Sequence, residues 1–319
     1  MSAARHATTT VVRTVAETRA AVAAGERPVG LVPTMGALHD GHLALISAAA
    51  RECDTVVVSI FVNPTQFGAD DDLARYPRDE TRDVALAAGA GATLVFAPAV
   101  AEMYLAGAAV TVHVEGPPAV GYEAAQRPGH FDGVATIVAK LFTIVAPDRA
   151  YFGRKDAQQL AVVRRLVADL DLPVEIVAVD TVREPDGLAR SSRNVYLGAA
   201  QRAEAAGLHT ALVAGGAVSA DGTGAVVTRV TAELQAAGLA IDYVAVVDPD
   251  SFAPVGDVPR PDDLIVAAVR LGETRLLDNV AIGVAAPAAT TDTTSPEPDP
   301  RRGPASHDKE RQRGDSHGQ

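Results

Sequence analysis

At 319 residues, with 48% hydrophobic and 4% aromatic side chains, the chain can build two domains around sizeable cores and is too apolar for a disordered protein. A net charge of -12 and a pI near 5.1 argue against general affinity for nucleic acid or anionic lipid, so any phosphate must be held by local basic residues. The single cysteine, Cys53, excludes an intrachain disulfide and a thiolate metal cluster. No apolar run reaches the roughly 18 residues of a membrane span, and the first twenty residues lack the apolar core of a signal peptide, so a cytoplasmic protein is expected.

In chain order, Val29 to Val32 reads as a short buried strand, and Leu43 to Cys53 as a helix with Leu43 and Ile46 on its apolar face. Further buried strands are predicted at Thr55 to Val62 and Ala92 to Phe96, with a helix between them from Arg78 to Ala88. Phe131 to Val145 has helical spacing, Arg149 to Phe152 that of a strand, Asp156 to Leu170 that of a helix, and Val174 to Val179 that of another strand. Such alternation predicts an α/β domain with a parallel, Rossmann-like sheet over residues 1–181, its ligand loops at the strands' carboxyl ends.

Beyond Val182 the pattern shifts to helices at Ala199 to Ala214 and Ala225 to Ala237. Strands follow at Asp242 to Val247, Leu264 to Val269 and Asn279 to Val284. This reads as a second, smaller α+β domain over residues 182–287, lid-like in position. Residues 288–319 hold no large apolar side chain and are expected to be disordered.

The most informative stretch is Pro33-Thr34-Met35-Gly36-Ala37-Leu38-His39-Asp40-Gly41-His42, which joins the first of these strands to the helix after it. Residues three apart at a helix start share a face, so both imidazoles can aim at one anion, beside backbone N–H groups that add positive potential. An ordinary polar turn with incidental histidines is the competing reading. Two histidines without a carboxylate or cysteine at helical spacing make a poor zinc site, since zinc takes three or four protein ligands.

The decapeptide resembles the His-x-Gly-His element of the nucleotidyltransferase superfamily, and its flanks are similar to the pantoate–beta-alanine ligases. Five later segments carry the same likeness. They are Phe61-Val62-Asn63-Pro64-Thr65-Gln66-Phe67 with the strand before it, Tyr76-Pro77-Arg78, Arg127-Pro128-Gly129-His130-Phe131, Tyr151-Phe152-Gly153-Arg154-Lys155-Asp156 through Leu160, and Arg183-Glu184-Pro185-Asp186-Gly187-Leu188 through Asn194. The likeness runs in order from about Val29 to Val284.

The resemblance implies a two-step reaction: pantoate attacks the α-phosphate of ATP, carried with Mg2+, to give pantoyl adenylate and pyrophosphate, and beta-alanine then displaces AMP to give pantothenate. Pantoate's carboxylate is already ionised at neutral pH, so alignment and charge stabilisation are what the site must supply. The resemblance implies His39, His42, Lys155 and Arg193 as the catalytic residues, with His42 as proton donor. By the same route Met35, Gly36, Ala37, Leu38, His39, Asp40, Gly41, His42, Gly153, Arg154, Lys155, Asp156, Val182, Arg190, Ser191, Ser192 and Arg193 would line the ATP site. Gln66 and Gln159 would bind pantoate, with Gln66 also near beta-alanine, and the family suggests a homodimer. Asp156 would orient Lys155 or meet magnesium through water. Arg127 and His130 read equally well as anion holders or as shapers of the following helix, and Asn63 and Tyr76 as shapers of the pocket.

Four positions depart from the family pattern, and two of them, Thr65 and Ala157, replace larger residues and bear on the shape of the pocket. Arg154 stands where glutamate or another non-basic residue is usual, and Arg190 where leucine or methionine is usual. Both add positive charge beside the inferred nucleotide site, either tightening ATP binding or, for Arg190, crowding the adenosine pocket. A dinucleotide-forming transferase shares the His-x-Gly-His element, but the two glutamines and the second domain argue against it. A non-enzymatic binding homologue would be expected to lack His42, Lys155 or Arg193, and all three are present.

Overall fold

The computed structural model describes residues 9–68, 73–74 and 76–283. The expectation for the chain past Pro287 lies outside them, as does Val284 at the end of the last expected strand.

A parallel six-stranded sheet is built from β1 (Thr10–Val12), β2 (Val29–Thr34), β3 (Thr55–Ile60), β4 (Leu94–Phe96), β5 (Arg149–Gly153) and β6 (Glu175–Val179), in the order β1-β4-β3-β2-β5-β6. Its helices are α1 (Val15–Ala24), α2 (Asp40–Glu52), α3 (Glu80–Ala90), α4 (Val100–Met103), α5 (Tyr122–Gln126), α6 (His130–Val145) and α7 (Ala157–Asp169).

Side-chain alternation along the strands explains why the central runs are apolar throughout. Leu31 and Val57 face one core with Phe131, Leu141 and Leu166, while Val32, Val56 and Val58 face another with Ile46, Ala49 and Ala87. Both faces are covered by helices, so neither can be polar. The strand order reverses between β2 and β5. That crevice, outside the carboxyl ends of two diverging strands, is where an open α/β sheet receives ligands. The turn after β2 carries His39 and His42, and the turn after β5 carries Lys155.

A second, antiparallel sheet follows, with β7 (Ala240–Val247), β8 (Leu264–Leu271) and β9 (Thr274–Ala281) in sequential order. Helices α8 (Ala199–Ala205), α9 (Gly207–Gly216) and α10 (Thr223–Ala236) precede it. Leu208, Leu212, Val226, Val230 and Leu234 from α9 and α10 bury against Ile265, Ala267 and Val269 of β8. The two sheets belong to one compact unit.

Several boundaries differ from the sequence expectation, each for a local reason. Helix α2 starts at Asp40 rather than Leu43 because His39 itself caps it. The single helix expected from Ala199 to Ala214 is two, broken at Ala206 where Gly207 packs closely on Ala237. The last strand begins at Thr274, not Asn279, because β8 and β9 are one hairpin joined at Gly272 and Glu273.

Candidate active site

The turn after β2 is held by hydrogen bonds within the sheet and from a distant helix. Thr34 Oγ1 donates to the Ser59 carbonyl and accepts the Gly36 N–H, fixing the strand exit. Gly36 and Ala37 then both take positive φ, +81° and +50°, a conformation that is strained for alanine. Asp83 of α3, 1% exposed, holds it there: its carboxylate accepts the Ala37 N–H at 2.7 Å and the Leu38 N–H at 2.8 Å. These two amides are therefore committed to a carboxylate. Nothing in the sequence marks this role, since Asp83 has the position of an ordinary first-turn acid favoured by the helix dipole.

His39 and His42 cap α2 reciprocally. The Gly41 N–H donates to His39 Nδ1 at 3.1 Å, and the His39 N–H donates to His42 Nδ1 at 3.3 Å. The rings lie 4.1 Å apart between centroids, tilted by 36°. Gly41 is required by this packing, because a Cβ there would lie 2.8 Å from His39 Cε1. With Nδ1 an acceptor in both rings, each neutral imidazole carries its proton on Nε2 and acts there as a donor. Burial, then Lys155, pushes His39 down to about 4. Burial, then the neighbouring His39, pushes His42 down to about 3. Desolvation and nearby cations disfavour a charge on either ring, so both favour the neutral form with an Nε2–H donor.

Lys155 and Asp156 sit in a 3-10 turn between β5 and α7. Asn279 of β9 fixes that turn by donating to the Arg154 and Lys155 carbonyls at 3.0 and 2.9 Å. Lys155 Nζ lies 3.1 Å from Asp156 Oδ1. Burial would raise Asp156, but Lys155 and Arg193 outweigh it and hold the carboxylate below its usual range. Arg193 acts on Asp156 through its charge and lines both pockets, where it can also meet an anion.

These groups enclose two adjoining pockets. One is lined by Met35, His39, Gly41, His42, Gly153, Val182, Arg190 and Ser192, together with Pro33, Leu45 and Tyr76. The other is lined by Gln66, Gln158, Arg127, His130 and residues of β9. Met35, Lys155, Asp156, Gln159, Ser191, Arg193 and Tyr196 line both and so stand at the junction. The Gln159 side chain makes no hydrogen bond to protein among the described residues, whereas that of its neighbour Gln158 is occupied by the Glu123 N–H and the Pro118 carbonyl.

Gln66 is fixed from several sides. Its side-chain oxygen accepts from Asn63, its amide donates to Met35 Sδ, and its carbonyl accepts from Arg127 and from His130 Nδ1 at 2.8 Å. Arg127 and His130 thus buttress the Gln66 backbone, and both also line the second pocket. Asn63, fully buried, shapes the same turn through Gln66, Thr65 and Tyr104.

Of the expected site residues, Gly36, Ala37, Leu38, Asp40 and Arg154 line neither pocket. Leu38 is buried in the core beneath the turn, and Gly36 is buried. Arg154 pairs with Asp180 at 3.0 Å, and Arg190 pairs with Asp40 and Glu184, both at 3.0 Å. The two added positive charges are therefore each matched by carboxylates.

A family model for pantoate–beta-alanine ligase matches residues 9–281. The pantothenate synthetase of Acidothermus cellulolyticus is 54% identical over 275 residues, which cover 85% of this chain and 90% of that protein. That of Thermus thermophilus is 53% identical, covering 85% and 98%. Its crystal structure matches this fold with a TM-score of 0.81 at 50% identity, covering 85% and 99%. A Francisella tularensis pantoate–beta-alanine ligase, solved in complex with beta-gamma ATP and beta-alanine, matches with a TM-score of 0.73 at 29% identity, covering 87% and 99%. The chain belongs to the pantoate–beta-alanine ligase family.

Proposed function

We infer that this chain condenses pantoate with beta-alanine, using ATP, to give pantothenate, AMP and pyrophosphate through a pantoyl-adenylate intermediate. Membership of the ligase family carries the overall reaction. One observation carries its assignment to these residues: the histidine-lined pocket and the glutamine-lined pocket meet at Lys155, Asp156 and Arg193. Two substrates, one polyanionic and one a small hydroxy acid, would react at such a junction.

In the first step a pantoate carboxylate oxygen forms a bond to the α-phosphorus as the bond to the bridging oxygen of pyrophosphate breaks. No base is needed, because the nucleophile is already an anion. The site must instead hold two anions together, and its basic residues do so. Lys155 brings a compact charge and Arg193 a planar fork for phosphate oxygens. His39 and His42 donate from Nε2 toward the departing pyrophosphate, fixed in direction by their capping bonds. Met35, Gly41, Gly153 and Val182 form the walls against the nucleoside, and Ser191 and Ser192 add hydroxyl donors. Gln66 and Gln159 pair with pantoate, whose hydroxyls and carboxylate need both donors and acceptors. In the second step the beta-alanine amine attacks the acyl carbon, the carbon–oxygen bond to phosphate breaks, and AMP leaves.

Magnesium arrives with ATP as part of the substrate. Among the described residues no group of three or more histidine, cysteine or acidic side chains could hold a metal ion, and Asp156, which lines both pockets, suits contact through water. We place the hinge between a nucleotide-binding domain and a smaller lid-like domain near residue 182, and assign the chain to the cytoplasm as a homodimer. No helix among the described residues is long and apolar enough to cross a membrane.

The test is AMP release by purified protein given ATP, magnesium and pantoate, with and without beta-alanine, with the acyl product identified by mass. Turnover that depends on beta-alanine and yields the pantothenate mass supports the reading. Folded protein that releases no AMP contradicts it.

A further inference from the structure

The segment carrying Ser191, Ser192 and Arg193 reaches the nucleotide turn through few contacts. Ser192 Oγ to the Ala37 carbonyl is long, at 3.4 Å. The stronger link is Arg190. Its Nη2 lies 3.0 Å from Asp40 in the first turn of α2, and its Nη1 lies 3.0 Å from Glu184 at the start of its own segment. Its backbone N–H donates to the Val182 carbonyl, so the residue is anchored at both ends. A guanidinium is suited to this task because its donors are rigidly splayed in one plane, whereas a lysine would reach one carboxylate at a time.

Asp40 makes the link consequential. At the first position of α2 it complements the helix dipole, yet it also sets a negative charge beside the pocket proposed for a triphosphate. We propose that Arg190 is a positioning residue for the first half-reaction. By clamping Asp40 and Glu184 it docks the Ser191–Arg193 segment on the nucleotide turn, and by neutralising Asp40 it removes repulsion toward ATP. This rests on the reading of that pocket as the nucleotide site. Arg190 Nε is buried without a partner, so the clamp is held although one donor is left unsatisfied.

The experiment is a double-mutant cycle of R190Q and D40N. Contacting charged residues couple measurably, and here the coupling should appear in ATP affinity. R190Q should raise KM for ATP about tenfold while leaving KM for pantoate within about twofold, and R190K should recover part of the loss. In the D40N background R190Q should raise KM for ATP by no more than about twofold, because the charge it offset is gone. Equal effects of R190Q in both backgrounds, or an unchanged KM, would overturn the proposal. Loss of folding alone would not produce a change specific to ATP and dependent on Asp40. Chymotryptic cleavage at the exposed Tyr196 supplies an independent readout without nucleotide. Faster cleavage in R190Q than in wild type supports the clamp, and equal rates overturn it. If wild-type protein makes no AMP, the functional reading fails, while the cleavage comparison still decides whether the clamp exists.

Discussion

Replacing Asp83 with asparagine is the sharpest test of how the nucleotide turn is held. The carboxylate is 1% exposed and accepts two backbone N–H groups, at 2.7 and 2.8 Å, from residues at and beside the left-handed Ala37. Asparagine is nearly isosteric but keeps one acceptor oxygen. Its NH2 group would face one of those amides, donor against donor. A hydrogen bond to a charged group contributes about 1.5–3 kcal/mol, and a buried amide left unpaired adds a penalty of about 1–3 kcal/mol. Some relaxation of the turn is expected, so the net destabilisation should be about 2–4 kcal/mol, measured by urea unfolding with an unchanged m-value. Because the same amides fix the approach to His39 and His42, kcat/KM for ATP should also fall by at least about tenfold under conditions where the variant is folded. A stability change under about 0.5 kcal/mol with activity within about twofold would refute the clamp.

The remaining predictions address other parts of the site. Gly133→Ala should destabilise by about 1–3 kcal/mol and raise KM for pantoate, since its Cβ would lie 2.3 Å from the Thr65 carbonyl oxygen and 2.7 Å from Gln66 Cα, both backbone atoms. A stable variant with normal pantoate kinetics would show that the Gln66 turn is not set by α6. The His39 and His42 Hε1 resonances should titrate below about pH 5, rather than near 6.5, with Nε2 protonated in both rings. Both native values are depressed, so between about 6.5 and 4 the unfolded chain takes up protons that the fold does not. Stability linked to these groups is complete above about pH 6.5 and declines as pH falls toward 4 and 3. A midpoint near 6.5 for either would contradict the neutral-donor role. Lys155→Met should slow pantoate-dependent exchange of pyrophosphate into ATP by roughly 100-fold, and a defect confined to the beta-alanine step would contradict its place.

Much of this architecture was legible in the sequence because it rests on local pattern. The apolar runs of β2, β3 and β5 announce strands buried on both faces, and the turns after β2 and β5 carry the residue types that anion binding needs. What the pattern did not reveal was non-local or too short to register. Strand β1 is three residues long, and α1 buries mainly Thr18, so neither presents a clear apolar stripe. The start of α2 lies ahead of its apolar pattern because its cap is a histidine, outside the usual serine, threonine, aspartate and asparagine signal. Asp83 clamps a turn 45 and 46 residues away, and Arg190 reaches Asp40 across the fold, so neither partnership has a sequence spacing to find. The charge state of His42 was likewise inaccessible, since burial and His39 decide it. Gln66 was found as a candidate, but the frame of Asn63, Arg127 and His130 around it became clear only from the fold.

The central claim is that the pantoate carboxylate attacks the α-phosphorus at the junction of the two pockets. Pantoate labelled with oxygen-18 in its carboxylate, turned over with ATP and beta-alanine, tests it directly. The account predicts one labelled oxygen in each AMP and one retained in the amide of pantothenate. Label recovered in inorganic phosphate with ADP as the nucleotide product, or AMP without label, would contradict it.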